Sequence, residues 1–111
     1  MDKAPCVVLH LRLRCDPKNR DQLLSFLHEA VPFYEQPGSI RIRLLEDLAD
    51  PSRFIEIVEY ETEDAYERDR PRVESDEQMQ IYLRRWRSLL NGPVELETYK
   101  EVSLDIDKGP G

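Results

Sequence analysis

The stretch Val7-Val8-Leu9-His10-Leu11-Arg12-Leu13-Arg14 decides how this chain folds. Side chains alternate across a strand, so Val7, Leu9, Leu11 and Leu13 fall on one face. Val8, His10, Arg12 and Arg14 fall on the other. A sheet with one apolar face needs one layer of helices, and two amphipathic helical patterns follow in the sequence. The second face is then covered by water or by another sheet, and that alternative governs where chemistry can occur.

Working outward, the first strand spans residues 6–14 and Asp16-Pro17 ends it. Asp16 caps the next helix with Pro17 at its first position, or Asn19 caps it with Gln22 three residues on. Leu23, Phe26, Leu27, Ala30, Val31 and Tyr34 recur at helical spacing. Pro32 lies inside that stripe and predicts a kink or an early end, because its missing N–H cannot reach His28. Gln36-Pro37-Gly38 is a turn, and residues 39–46 form a second strand with Ile40, Ile42 and Leu44 on one face. The polar segment 47–52 makes a hairpin loop. Residues 53–61 form a third strand, read with Ile55 and Ile57 opposite Phe54, Glu56, Val58 and Tyr60.

Thr62 caps a short helical turn that Pro71 is expected to terminate. Ser75 and Gln78 form a capping box for the main second helix, whose stripe is Met79, Tyr82, Leu83, Trp86, Leu89 and Leu90. Arg84, Arg85 and Arg87 complement its C-terminal dipole, and Asn91-Gly92 stops it. Residues 93–102 form the fourth strand, with Val94 and Leu96 opposite Glu95, Glu97, Tyr99 and Glu101. Residues 103–111 read as a loose tail. The order βαββαβ is the ferredoxin-like α+β plan, an antiparallel four-stranded sheet with helices on one face. The expected core comprises Val7, Leu9, Leu11, Leu13, Ile40, Ile42, Ile55, Ile57, Val94 and Leu96.

With 111 residues the chain suits a single domain, 1–111, with its folded core at 6–102. Its formal charge of −7 argues against a sequence-independent grip on nucleic acid or an anionic membrane. Cys6 and Cys15, at opposite ends of one strand, would lie roughly 30 Å apart, too far for a disulfide. They read as free thiols of a reducing, cytoplasmic compartment. No apolar run approaches a membrane span, and no signal-peptide core opens the sequence. Two cysteines and two histidines at unrelated spacings do not make a zinc site. A Gly-rich phosphate loop and a nucleophile elbow are both absent.

Taken together, the second faces of the four strands carry His10, Arg12, Arg14, Arg41, Arg43, Leu45, Phe54, Glu56, Val58, Tyr60, Glu95, Glu97, Tyr99 and Glu101. A solvent face accommodates the charges, but Phe54, Val58, Tyr60 and Tyr99 argue for partial burial. Histidine suits a general acid or base, so His10 is a candidate for that role, or it is a structural partner of Glu56 or another carboxylate. Arg12, Arg41 and Arg43 offer forked donors to a carboxylate or enolate, or form a charge lattice with Glu56, Glu95 and Glu97. Tyr60 and Tyr99 suit stacking on an aromatic ligand or interface packing. Trp86 reads as core, and His28 as surface.

The segments Gln36-Pro37-Gly38, Asp50-Pro51-Ser52-Arg53-Phe54 and Glu59-Tyr60-Glu61-Thr62-Glu63-Asp64-Ala65-Tyr66 together resemble the antibiotic biosynthesis monooxygenase type of dimeric α/β barrel. Leu89-Leu90-Asn91-Gly92-Pro93 and Glu97-Thr98-Tyr99-Lys100-Glu101-Val102 are similar to its usual close. The resemblance implies a homodimer whose open sheet faces close a barrel. It also implies a monooxygenase, without a cofactor, acting on a small aromatic or polyketide-like molecule. On that reading His10 is the base and Arg12 steadies an oxyanion, while Arg41, Arg43, Glu56, Tyr60 and Tyr99 bind substrate. Two other readings share the fold: a non-catalytic small-molecule-binding or interaction domain, and an oxygen-independent isomerase or cyclase. The histidines many relatives carry after the Ala-x-x helix start are missing, and the segment Arg68 to Arg72 stands there instead. A first-strand asparagine and a second-helix histidine, used by haem-degrading relatives, are also missing, which speaks against a haem role.

Overall fold

In the computed structural model, which describes residues 5–104, the sheet order is β2-β3-β1-β4 and every pairing is antiparallel. The strands are β1 (Val7–Arg14), β2 (Ile40–Glu46), β3 (Arg53–Tyr60) and β4 (Glu95–Lys100). The helices are α1 (Arg20–Tyr34), α2 (Glu63–Ser75) and α3 (Glu77–Ser88), with a 3-10 turn at Pro17–Asn19 before α1. This is the expected ferredoxin-like α+β plan, enlarged by one helix. Of the expected tail, residues 105–111 lie outside the described residues.

Two prolines lie inside helices. Pro32 stays inside α1, which runs on to Tyr34. So close to the C-terminus its missing N–H costs a single bond, and Glu35 N–H restores the ladder on Val31 O at 2.9 Å. Pro71 does not end the helix begun at Thr62; α2 continues to Ser75. Arg72, one residue on, is anchored to the carbonyls of Phe33 and Tyr34 at 3.0 and 2.6 Å, and that tertiary attachment outweighs the local penalty. The cap of α3 is Asp76, whose carboxylate accepts from Met79 N–H at 2.8 Å, rather than Ser75. Ser75 instead donates to Pro71 O within α2.

The larger correction concerns β3. Leu9, Leu11 and Leu13 pair with Val58, Glu56 and Phe54, and Val7 pairs with Tyr60. Directly paired residues share a face, so Phe54, Glu56, Val58 and Tyr60 lie under the helices. Ile55 and Ile57 belong to the open face, beside Arg12 and His10. Both faces of Arg53–Tyr60 carry apolar residues, so alternation alone leaves the strand's orientation undecided. Ile57 is still buried, lying between its paired neighbours His10 and Arg43.

The core has two parts. Leu13, Leu23, Phe26, Leu27, Ala30, Phe54, Met79 and Trp86 pack at one end, with Cys15 fully enclosed. Val7, Leu9, Ile40, Val58, Tyr60 and Ala65 pack at the other. Between them the sheet and helices do not close completely, and members of both groups line the space that remains. Among the described residues no helix is long and apolar enough to cross a membrane.

Candidate functional site

That space is a cavity of about 210 Å³ between the sheet and α1, α2 and α3. Its walls are mostly apolar, with Leu9, Leu11, Ile40, Ile42, Val58 and Met79 among them. Glu56 enters from the centre of the sheet, where it pairs with Leu11 on one side and Leu44 on the other. It is only 5% exposed. Tyr34 comes from the last turn of α1 and Trp86 from the last turn of α3. Glu56 Oε1, Tyr34 Oη and Trp86 Nε1 are buried without a hydrogen-bond partner, and among the described residues no other buried side-chain nitrogen or oxygen is in that state.

Burial raises the Glu56 carboxyl to a pKa of about 7, because the charged form loses its water. The Trp86 indole N–H opposes that rise by favouring the anion, although the pair falls short of hydrogen-bond geometry. Burial also raises the Tyr34 phenol, with the Glu56 charge as the next contribution. The cavity thus brings a carboxyl poised near neutrality to face two neutral donors. A buried acid shifted in this way suits proton transfer.

A charged cluster closes one side. Tyr60 Oη donates to Asp69 Oδ2 at 2.6 Å, and Arg72 Nε donates to Asp69 Oδ1 at 3.0 Å. Arg70 Nη2 donates to Tyr60 Oη at 2.9 Å, and its guanidinium lies 4.3 Å from the Tyr66 ring centre. Burial pushes the Tyr60 phenol up, with the bond to Asp69 adding to the rise. The segment Arg68 to Arg72, which replaces the histidines expected from resemblance, therefore supplies a wall of the cavity.

The sequence-derived site residues divide between two surfaces. Glu56 and Tyr60 lie in the cavity, on the helix side of the sheet, not on the open face where alternation placed them. His10, Arg12, Arg41, Arg43 and Tyr99 stay on the open face, so His10 cannot partner Glu56 across the sheet. His10 makes an edge-to-face contact with Tyr99 at 5.2 Å. Arg12 pairs with Glu97 at 3.0 Å and Arg43 with Glu59 at 3.1 Å. Of the charge lattice expected for these arginines, the Arg12–Glu97 pair is present and Arg43 takes Glu59 instead of Glu56; among the described residues Arg41 makes no ion pair. Tyr34, Asp69, Arg70, Arg72 and Trp86 join the site without being marked by the sequence. Their signal in the sequence is masked, because Tyr34 and Trp86 sit on apolar stripes and α2 was expected to stop at Pro71.

A wider hollow of about 500 Å³ opens at one end of the sheet beside Arg12, Arg14 and Arg53. Its cations are already committed, Arg14 to Asp50 and Arg53 to Asp47, and these pairs face solvent. It offers shape without an unpartnered reactive group. Among the described residues no cluster of three or more His, Cys, Asp or Glu is arranged to hold a metal ion.

A sequence profile of the antibiotic biosynthesis monooxygenase family matches residues 6–70, more than half of the chain. The chain belongs to that family. The matched region contributes Tyr34, Glu56, Tyr60, Asp69 and Arg70 to the cavity, while Trp86 comes from beyond it. No curated protein matches the chain in sequence. Solved structures share its fold. A conserved protein from Methanosarcina mazei Go1 aligns at a TM-score of 0.73 with 10% identity, over 88% of this chain and 94% of that one. Rv0793 from Mycobacterium tuberculosis aligns at 0.68 with 17% identity, covering 92% and 99%. A structure described as an antibiotic biosynthesis monooxygenase aligns at 0.68 with 16% identity, covering 87% and 99%. At these identities the likeness concerns the fold.

Proposed function

We propose that this family member is a cofactor-independent monooxygenase for a small aromatic or polyketide-like molecule, with the Glu56 cavity as its active site. The observation that carries the reading is the unpartnered, buried carboxyl of Glu56 inside an apolar cavity of a chain from this family. Glu56 would accept a proton from a phenol or an activated ring carbon. Tyr34 and Trp86 would donate to the oxygen on which negative charge then gathers. The electron-rich anion reacts with dioxygen at carbon; one oxygen atom stays as a carbonyl and the other leaves as water. A cavity of about 210 Å³ is below the usual range for drug-sized ligands and suits one or two fused rings.

The probe is 1-naphthol, for which uptake of one dioxygen yields 1,4-naphthoquinone and water. Consumption of oxygen with matching quinone formation is expected, falling by about 10²-fold or more in Glu56→Gln. Equal rates in the variant would remove Glu56 from the reaction. His10→Ala, on the opposite sheet face, is expected to retain most of the rate.

The same proposal includes a homodimer joined through the open sheet faces. Val8, Leu45, Ile55 and Tyr99 give that face apolar surface among its charges, and Leu45 and Tyr99 are 44% and 48% exposed. A semi-apolar sheet face left to water is unfavourable. Light scattering on the purified chain is expected to give twice the chain mass, and Leu45→Glu with Ile55→Glu to give one. A monomeric wild-type chain would refute this assembly.

A further inference from the structure

We infer that the Glu56 cavity also catalyses an oxygen-independent reaction: the enolisation of a small cyclic ketone, with proton exchange at the carbon next to its carbonyl. This deepens the proposed function, resting on the same assignment of the cavity as the active site, and it adds an activity that needs no oxidant.

Buried polar side-chain atoms in folded proteins are nearly always hydrogen-bonded. Here the unpartnered ones, Glu56 Oε1, Tyr34 Oη and Trp86 Nε1, belong to residues that line a single cavity. Each is supplied by a different element, β3, α1 and α3, so no local feature of one segment explains their gathering. Their chemistry is complementary to a carbonyl compound. One group accepts a proton, and two donate hydrogen bonds without carrying charge.

For a ketone held between them the step balances without another reagent. The bond from hydrogen to the carbon beside the carbonyl breaks, and the proton passes to the Glu56 carboxylate. The electron pair of that bond forms the carbon–carbon double bond, and the carbonyl π pair moves onto oxygen. Tyr34 and Trp86 donate to that enolate oxygen, where neutral donors are most useful in a dry site. The Glu56 carboxyl trades that proton for one from solvent; delivery of the new one to the same carbon gives exchange, and delivery to a conjugated carbon gives an isomer. Leu9, Leu11, Ile42, Val58 and Met79 keep the surroundings apolar. Asp69 is occupied by Tyr60 and Arg72, and Arg70 by the Tyr60 hydroxyl, while Arg87, an exposed residue, also borders the cavity.

The test uses 2-tetralone, a bicyclic ketone with acidic protons at C1, in buffered D2O under argon. Proton NMR follows loss of the C1 signal, while fluorescence of Trp86, the chain's single tryptophan, reports occupancy of the cavity. Exchange well above the buffer rate is expected. Glu56→Gln should lower the protein-dependent rate by about 10²-fold or more. Tyr34→Phe should lower it by up to about 10²-fold while the ketone still quenches Trp86. Thermal melts establish that each variant is folded.

Exchange no faster than in buffer would overturn the inference, whether or not Trp86 responds. Exchange undiminished in Glu56→Gln would overturn it as well. Exchange without oxygen uptake from 1-naphthol would uphold it and defeat the oxygenase reading. Oxygen uptake without exchange would do the reverse.

Discussion

Glu56→Gln is expected to melt at a higher temperature than the native chain at pH 8, while losing the activity that depends on the carboxylate. A carboxyl whose folded pKa is raised binds its proton more tightly in the folded state than in the unfolded one. The stability it contributes is therefore complete below the unfolded value, near 4.5, and is lost as pH rises through the folded value, about 7. That difference corresponds to about 3 kcal/mol withdrawn from the fold above pH 7. Gln has nearly the same shape and never ionises, so it avoids this loss. The gain at pH 8 should raise the melting temperature by on the order of 10 °C for a domain of this size. At pH 4 the two proteins should melt within a few degrees of each other. Turnover should follow the opposite course in the native chain, rising through pH 7 as Glu56 ionises. Melting curves at pH 4, 6 and 8 decide the matter, and a variant no more stable than the native chain at pH 8 would show that burial does not raise the Glu56 carboxyl.

Asp69→Ala should have the largest destabilising effect among single changes at the site. Asp69 is 7% exposed and accepts from both Tyr60 and Arg72. Its removal leaves the Arg72 guanidinium without its counter-charge and the Tyr60 hydroxyl without its acceptor. Breaking a buried pair from one side typically costs about 3–5 kcal/mol. The damage should extend beyond α2, because Arg72 also ties that helix to the end of α1 through the carbonyls of Phe33 and Tyr34. Tyr34 is thereby held over the cavity by a residue that does not touch its hydroxyl. Asp69→Asn keeps an acceptor and should lose less. Urea denaturation at pH 7 measures both, and a loss below about 1 kcal/mol in Asp69→Ala would mean that Arg72 finds solvent or another partner without penalty.

Most of the fold was legible because its signals are local. Strand alternation in Val7–Arg14, the helical stripe from Leu23 to Tyr34 and the Asn91-Gly92 stop each act over a few residues. Pro71 misled for the opposite reason. Whether a helix survives Pro71 depends on what Arg72 touches, and its partners Phe33 and Tyr34 are distant in sequence.

The candidate site was legible in part. Glu56 and Tyr60 were singled out, but the side of the sheet they occupy was not. Arg53–Tyr60 has one face with Ile55 and Ile57 and another with Phe54, Val58 and Tyr60, so hydrophobic alternation supports either orientation. Only the pairing of Leu11 with Glu56 settles it.

The amino-acid sequence by itself determined a four-stranded sheet with one helical layer, an acidic surface and the family to which the chain belongs. Each of these is written in short-range patterns of polarity and turn chemistry. Tertiary structure alone decided which face of β3 turns inward, and with it which side chains line the cavity. A one-residue change of register would exchange Glu56 for Ile55 or Ile57 beneath the helices. The cavity would then hold no carboxylate for Tyr34 and Trp86 to face, because side chains on a strand alternate with a period of two.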